Sequence, residues 1–343
     1  MPATLNSVAA AAGVSTSTAS RALSGHPAVL PATRARVEAV AAALSYQPNR
    51  MASALRTRRT GLVGLVVNNL RTATLHTIAD TLQCWAAEHD YQVLVCTTGG
   101  DPGREAAFLE TVRAHHFDGV VVAGSGANTE LVNRLVEEGR GVVTMNREVP
   151  GSLAPSVMSA YERAARLATE HLLARGHTRI ATIEGPPEAT SGRLHHAGFV
   201  AAMSDAGVPV RAGLVHRGPF SPDFGRQAAA AVLAERPTAL LVSNQEASFG
   251  VLPVLSRSGV AIPAQLSVIC TEDEPVYEAW SPPLTTVDNR AELLAQRAAA
   301  LLLAQLTGAE SDGPPRRAEL VEPMLVERGS TAPCPAAGRP TRP

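Results

Sequence analysis

The sequence predicts a small all-α head followed by a two-lobed α/β body built on parallel sheets. Three observations predict it. Residues 4–45 read as three short helices, with apolar positions at helical spacing and breakers between them. From Gly61 onward, short apolar runs alternate with amphipathic helical segments, as in βαβ units whose parallel sheets are covered on both faces. That alternation fills about 270 residues, more than a single sheet usually organises, so two lobes are expected.

In the head, Thr4 caps a helix whose apolar positions are Leu5, Val8, Ala9 and Ala12, and Gly13 follows where the turn needs positive φ. Ser15 caps a second helix, Thr16 to Leu23, that buries Ala19, Ala22 and Leu23. Gly25-His26-Pro27 breaks it. Pro31 opens a third helix with Val37, Val40, Ala41 and Leu44 on its apolar face. A short helical pattern from Arg50 to Leu55 and a basic linker, Arg56 to Thr60, lead into the body. There the expected strands are Leu62–Val67, Tyr91–Cys96, Gly119–Ala123, Val142–Met145, Ile180–Ile183, Ala239–Ser243 and Ser267–Cys270. Helices are expected at 75–88, 104–115, 128–138, 161–175, 192–206, 223–235, 246–258 and 289–306.

The 343 residues are 45% hydrophobic and 18% charged, enough apolar material for sizeable cores. No run approaches the ~18 apolar residues of a membrane span. The opening MPATLNSVAA lacks a basic-then-apolar leader pattern, and the four cysteines form no C-x-x-C pair, so a cytoplasmic protein without a disulfide scaffold or zinc ribbon is expected. Charge is unevenly spread. Residues 1–60 carry seven arginines against one acid, Glu38, while the remainder carries 23 arginines against 30 acids. A basic head on an acidic body suits a head that meets a polyanion.

The span Leu5–Leu23 has the layout of a helix-turn-helix: small alanines allow close packing, glycine makes the turn, and the second helix exposes Thr16, Ser17 and Arg21. Arginine can pair bidentately with guanine, and the hydroxyls can reach phosphates or bases. The run resembles the LacI/GalR family of bacterial transcription regulators. The resemblance is carried by Val8-Ala9, Ala12-Gly13-Val14-Ser15, Thr18-Ala19-Ser20-Arg21-Ala22-Leu23, Gly25, Thr33-Arg34, Arg36-Val37 and the stretch Tyr46 to Thr57. It extends more loosely to about Ser330.

The resemblance implies that Thr16 and Ser17 form the main base-reading pair, that Arg21 assists them, and that Ser15 and Thr18 make flanking DNA contacts. It also implies a hinge helix in which Asn49, Arg50 and Ala52 touch DNA. There Leu55 is the apolar wedge that unstacks a minor-groove step and bends the duplex. The partner is then a pseudo-palindromic operator in double-stranded DNA, bound by a homodimer. One departure is visible: Leu30 stands before Pro31, where the family usually has a capping Ser or Thr.

For the body, the resemblance implies a periplasmic-binding-protein-like clamshell with a small-molecule effector in the cleft. The implied division is 1–47 for the helix-turn-helix domain, 48–60 for hinge helix and linker, and 61–331 for the effector-binding and dimerisation domain. Within the body, lobe one covers about 61–159 and 288–313, and lobe two about 160–287 and 314–331. The tail, 332–343, is expected to be disordered. Arg193 matches the family's effector-binding arginine. Asn244, Glu246, Glu272 and Asp273 follow two strands at effector positions, and Arg147 follows another. Thr74 and Tyr161 complete the set at positions where this chain departs from common family patterns. Thr72-Ala73-Thr74-Leu75 supplies no aromatic platform for a sugar ring, and Ala160-Tyr161 replaces a common Asp-Asn.

Enzyme chemistry finds little support. There is no lysine for a Walker A loop, and Gly124-Ser125-Gly126 lacks a third glycine for a dinucleotide fingerprint. His115-His116 and His195-His196 are adjacent pairs rather than i,i+4 metal ligands. No cofactor, metal or catalytic residue is expected. The expectation is a repressor responding to a sugar-like or related metabolite. The competing readings are a clamshell sensor without a DNA role, opposed by residues 1–60, and a Rossmann-type sugar enzyme, opposed by the missing phosphate loop.

Overall fold

Capping and small-residue packing build the head as the sequence reading expects. The computed structural model describes residues 3–46, 59–308 and 318–335. The hinge candidates Asn49, Arg50, Ala52 and Leu55 lie outside the described residues. The chain divides into two units, Met1–Gly61 and Leu62–Pro343.

In the first unit, Thr4 and Ser7 form a reciprocal capping box on α1 (Leu5–Ala11), and Ser15 caps α2 (Thr16–Leu23). Gly13, at φ +65°, makes the turn between them. α3 (Pro31–Ala43) opens with proline in its first turn, and Leu30 at its N-cap makes no side-chain capping bond. Val8, Ala9, Ala12, Ala19, Ala22, Val29, Val37 and Ala41 form the core.

The second unit holds two six-stranded sheets. In the first, the order is β11–β5–β4–β3–β1–β2, with every pairing parallel. Its strands are β1 (Leu62–Val67), β2 (Gln92–Thr97), β3 (Gly119–Ala123), β4 (Gly141–Met145), β5 (Ser156–Ser159) and β11 (Glu319–Val321). Ile78 and Leu82 of α4 (Ala73–Glu88) and Leu294 and Leu302 of α12 (Ala291–Thr307) pack on one face. Leu109 and Val112 of α5 (Pro102–Ala114) and Val132 and Leu135 of α6 (Thr129–Glu137) cover the other.

The second sheet has the order β12–β10–β9–β8–β6–β7, parallel except for β12 against β10. Its strands are β6 (Ile180–Glu184), β7 (Val215–Arg217), β8 (Ala239–Ser243), β9 (Ser267–Thr271), β10 (Thr285–Asp288) and β12 (Met324–Val326). α9 (Pro222–Ala234) and α10 (Gln245–Ser258) cover one face, and α7 (Tyr161–Ala174) and α8 (Thr190–Asp205) the other. A one-turn helix, α11 (Pro275–Glu278), precedes β10.

Three crossings join the lobes and are tied to one another. Ser159 Oγ donates to Asn289 Oδ1 at 2.7 Å, and Ala160 N donates to Val321 O at 3.0 Å. Two expectations need correction. Residues 319–321 were expected in lobe two but form the parallel edge strand of lobe one, and the third crossing lies between Val321 and Met324. The chain adds β11 to β5 first, then pairs β12 antiparallel with β10. The start of the supposedly disordered tail is also bound: Ala332 O lies 3.0 Å from His177 Nε2, and Cys334 N donates to Arg175 O at 2.8 Å.

Candidate functional site

Two regions carry functional chemistry, one in each unit. In the head, the N-terminal turn of α2 gathers hydroxyls because capping requires one there and the helix starts abruptly after it. Ser15 Oγ accepts from Thr18 N at 3.1 Å and sits 2.9 Å from Ser17 Oγ and 2.8 Å from Thr18 Oγ1. Ser15 is therefore committed to the helix start, and Thr18 is half-buried. Thr16, Ser17 and Arg21 are exposed.

In the body, the C-terminal ends of β1, β4, β8 and β9 face a cleft between the lobes, with a cavity of about 140 Å³. Strand ends place loops and helix N-termini around such a crevice. Of the residues singled out from sequence, Thr74, Arg147, Tyr161, Glu246 and Glu272 line it. Three others do not. Arg193 sits at 52% side-chain exposure and pairs with Glu148 of the opposite lobe at 2.5 Å. Asn244 is buried as the N-cap of α10: its Oδ1 accepts from Ala247 N at 3.0 Å, and its Nδ2 donates to Pro219 O at 3.2 Å. Asp273 binds Arg328 through both oxygens, at 2.7 and 2.8 Å. Burial works to raise its pKa, but the Arg328 guanidinium and the Thr286 hydroxyl outweigh it and hold the carboxyl below its ordinary value.

Sequence reasoning missed Asn68, Asn146, Ser191, His195, Phe220 and Gln245, all of which line the cleft. Phe220 matters most, because it supplies the aromatic face that residues 72–75 lack. It follows β7, a three-residue strand that sequence periodicity does not disclose. Gly185 makes room for its ring: a Cβ there would fall 2.7 Å from Phe220 Cε1. Arg147 Cζ lies 5.8 Å from the centroid of that ring. Burial lowers the Arg147 pKa.

The lobes are bridged across the cleft floor. Asn69 Nδ2 donates to Glu246 Oε1 at 2.9 Å, Thr74 Oγ1 to Glu272 Oε2 at 3.1 Å, and Ala73 N to Glu274 Oε1 at 2.8 Å. Gln245 Nε2 reaches Thr74 Oγ1 at 3.1 Å and also donates to Glu274. Glu272 adopts φ +65° and accepts from Asn289 Nδ2 at 2.5 Å. Burial pushes its pKa up to about 7, opposed by the hydrogen bonds from Asn289 and Thr74. His195 stands edge-on to Tyr161 with ring centroids 5.1 Å apart. Burial pushes the His195 pKa down to about 4, offset only in part by the nearby Ser243 backbone.

Several buried polar atoms along this cavity have no hydrogen-bond partner in the described chain: Asn68 Oδ1, Thr72 Oγ1, Asn146 Oδ1, Ser243 Oγ and both ring nitrogens of His195. Each such group costs roughly 1–3 kcal/mol unless something satisfies it. Their convergence on one cavity gives it unmet hydrogen-bonding capacity of the kind a polar small molecule can satisfy.

Comparison with known proteins agrees with both regions. Residues 4–49 match "Bacterial regulatory proteins, lacI family", and residues 169–331 match "Periplasmic binding protein-like domain". The HTH-type transcriptional regulator DegA of Bacillus subtilis (strain 168) is 30% identical over 341 residues, covering 97% of this chain and 99% of DegA. The HTH-type transcriptional repressor PurR of Vibrio cholerae serotype O1 (strain M66-2) is 29% identical over 329 residues, covering 95% and 97%. Among solved structures, the lac repressor dimer bound to operator and the anti-inducer ONPF aligns with a TM-score of 0.83 at 27% identity, covering 97% of this chain and 100% of that one. A complex of the transcriptional regulator CelR with cellobiose aligns with a TM-score of 0.71 at 29% identity, covering 96% and 99%. With a capped helix-turn-helix, a two-lobed clamshell and relatives that span nearly its whole length, the chain belongs to the LacI family and is a DNA-binding transcriptional regulator.

Proposed function

We infer that this regulator is a homodimeric cytoplasmic repressor without catalytic turnover. It binds a pseudo-palindromic operator through α2, and its operator affinity is set by a small, hydroxyl-rich metabolite in the cleft. One short helix reads too few bases for genomic specificity, which favours two heads on two half-sites. The reading of the cleft rests on one observation: the partnerless polar atoms and the Arg147 guanidinium converge on the same cavity beside the Phe220 ring. Acceptors such as Asn68 Oδ1 and Asn146 Oδ1 suit ligand hydroxyls, and Phe220 suits the apolar face of a ring.

Arg193 takes a rim role here. Its pairing with Glu148 closes one lobe on the other, and a ligand that engages either side chain changes that closure. The hinge residues Asn49, Arg50, Ala52 and Leu55 are proposed, from the resemblance alone, to fold over the minor groove and insert Leu55.

The test begins by selecting genomic fragments bound by the full-length protein. Metabolites are then screened for a change in affinity for the selected fragment. Arg147→Ala and Phe220→Ala are expected to remove the metabolite response while leaving ligand-free operator binding intact. An undiminished response in both variants would place the effector outside this cleft.

A further inference from the structure

Glu184, His196 and Arg217 do not line the cleft, but they meet at the base of the segment that carries Phe220. Glu184, the last residue of β6, is fully buried, and its register partner on the neighbouring strand is Arg217, the last residue of β7. Glu184 Oε2 lies 2.9 Å from His196 Nδ1 on α8 and 3.3 Å from Arg217 Nε. Arg217 Nη2 also donates to Gly192 O at 3.2 Å. A carboxylate cut off from water is costly unless it is paired, so Glu184 constrains where the guanidinium and the imidazole sit. Burial raises the Glu184 pKa, against the pull of His196 and Arg217. The Glu184 backbone adds to the hold, because its carbonyl accepts from Gly218 N at 3.2 Å and from Asn244 Nδ2 at 3.4 Å. Asn244 Nδ2 donates to Pro219 O as well, and the Phe220 ring lies against Gly185. Each residue from Arg217 to Phe220 is thus held by Glu184 or by a residue beside it.

We propose that Glu184 is a positioning residue for the aromatic wall of the cleft: paired with Arg217 and His196, it fixes the start of the loop that presents Phe220 and so sets which ligand face the cleft accepts. The reason lies in β7 itself. It is a three-residue strand at the edge of its sheet, so its backbone pairing alone defines its register weakly. A slip by one residue would turn Arg217 to the other face of the sheet and leave the buried Glu184 carboxylate without its guanidinium. The ion pair therefore selects one register. That register sets how far the Phe220 ring reaches toward Arg147. His196 braces the same carboxylate from α8, the helix that also carries the cleft residue His195. The consequence for ligand choice rests on the reading of the cleft as the effector site; the placement of the ring does not.

The test is fluorine NMR of the ligand-free full-length protein with its six phenylalanines replaced by 4-fluorophenylalanine. The Phe220 signal is the one lost in Phe220→Leu. The signals of Phe108 and Phe117, whose rings meet edge-on in lobe one, report whether each variant is folded. The variants compared are Glu184→Gln, Arg217→Gln and the two together. Arg217→Gln leaves a buried carboxylate with only His196 as a cationic partner, and is expected to move or split the Phe220 signal most. Glu184→Gln keeps the shape, removes the charge and is expected to move the same signal less. The double variant leaves no buried charge, and its Phe220 signal is expected to return toward the wild-type position. A Phe220 signal that stays in place in folded Glu184→Gln and Arg217→Gln overturns the proposal. So does a Phe220 shift that adds up in the double variant, or one matched by equal shifts of Phe108 and Phe117, since either would report loosening without a specific link. Should the Phe220 signal follow this pattern while Phe220→Ala keeps the full metabolite response in operator binding, the effector reading of the cleft fails and the placement of the ring by Glu184 stands.

Discussion

The head and the cleft bear the cost of function differently. Thr16, Ser17 and Arg21 stand on the outside of a helix whose core consists of other residues, so their chemistry asks little of folding. The cleft places polar atoms where water access is poor, and some lack any partner in the described chain. A surface that meets DNA can be assembled from solvated side chains, because the ligand arrives with its own charge and shape. A cleft that encloses a small molecule must hold its polar groups desolvated in advance, at the expense of stability.

The largest expected effect is a pH dependence hidden by cancellation within the cleft. His195 titrates near its ordinary 6.5 when unfolded and about 4 when folded, so its burial costs stability as the pH falls through that window. Glu272 titrates near its ordinary 4.5 when unfolded and about 7 when folded, so its contribution is present at low pH and lost as the pH rises through 7. Each window is worth about 3 kcal/mol, and the two slopes oppose each other where they overlap. Glu272→Gln is expected to gain stability over wild type as the pH rises from 4.5 to 7. His195→Gln is expected to gain it as the pH falls from 6.5 to 4. Denaturant unfolding across pH 4–8 checks both, and parallel curves for wild type and both variants would mean that neither group is desolvated.

The next prediction compares two residues to which sequence gave similar standing. Asn244→Ala removes the α10 cap and a buried amide that reaches Pro219 O and Glu184 O, and is expected to cost about 2 kcal/mol. Arg21→Ala, on the exposed face of α2, is expected to stay within about 0.5 kcal/mol of wild type. Equal losses in denaturant unfolding would erase the contrast between the two regions.

How much was readable from sequence follows from the same contrast. The head is local in sequence: capping residues, Gly13 and the apolar positions all lie within one continuous stretch, so its fold and the exposed face of α2 were both legible. In the body, the long apolar strands β1, β3, β4, β6, β8 and β9 and most of the helices were legible. β5 (SVMS), β7 (VHR) and β10 (TTVD) were not, because they are short and carry polar or charged residues. Those omissions hid the supports of the site. Phe220 follows β7, and Asn289, which orients Glu272, follows β10. The roles of Asn244 and Asp273 were misjudged for a related reason: sequence places a residue after a strand without saying whether its side chain enters the cleft or satisfies a backbone or an arginine.

A smaller effect is expected in the head. Leu30 is 73% exposed and offers no capping bond to α3. Leu30→Ser is expected to raise the thermal stability of the head by about 1 kcal/mol, read by hydrogen exchange in α3. Unchanged protection there would mean that the α3 start is already satisfied by other means.

The most direct test of the account is denaturant unfolding of the ligand-free full-length protein carrying Thr72→Val and Ser243→Ala. Thr72 is 2% exposed and Ser243 4%, and the hydroxyl of each has no partner in the described chain. These substitutions remove the unpaired oxygen with almost no change in volume. At Ser330, whose hydroxyl accepts from Thr285 N at 2.8 Å and donates to Val268 O at 2.6 Å, alanine is expected to cost about 2 kcal/mol. In the cleft the sign is expected to reverse: the Thr72→Val/Ser243→Ala protein is predicted to be more stable than wild type by about 1–2 kcal/mol. A loss of stability of similar size would contradict the claim that these groups are held unpaired for a ligand.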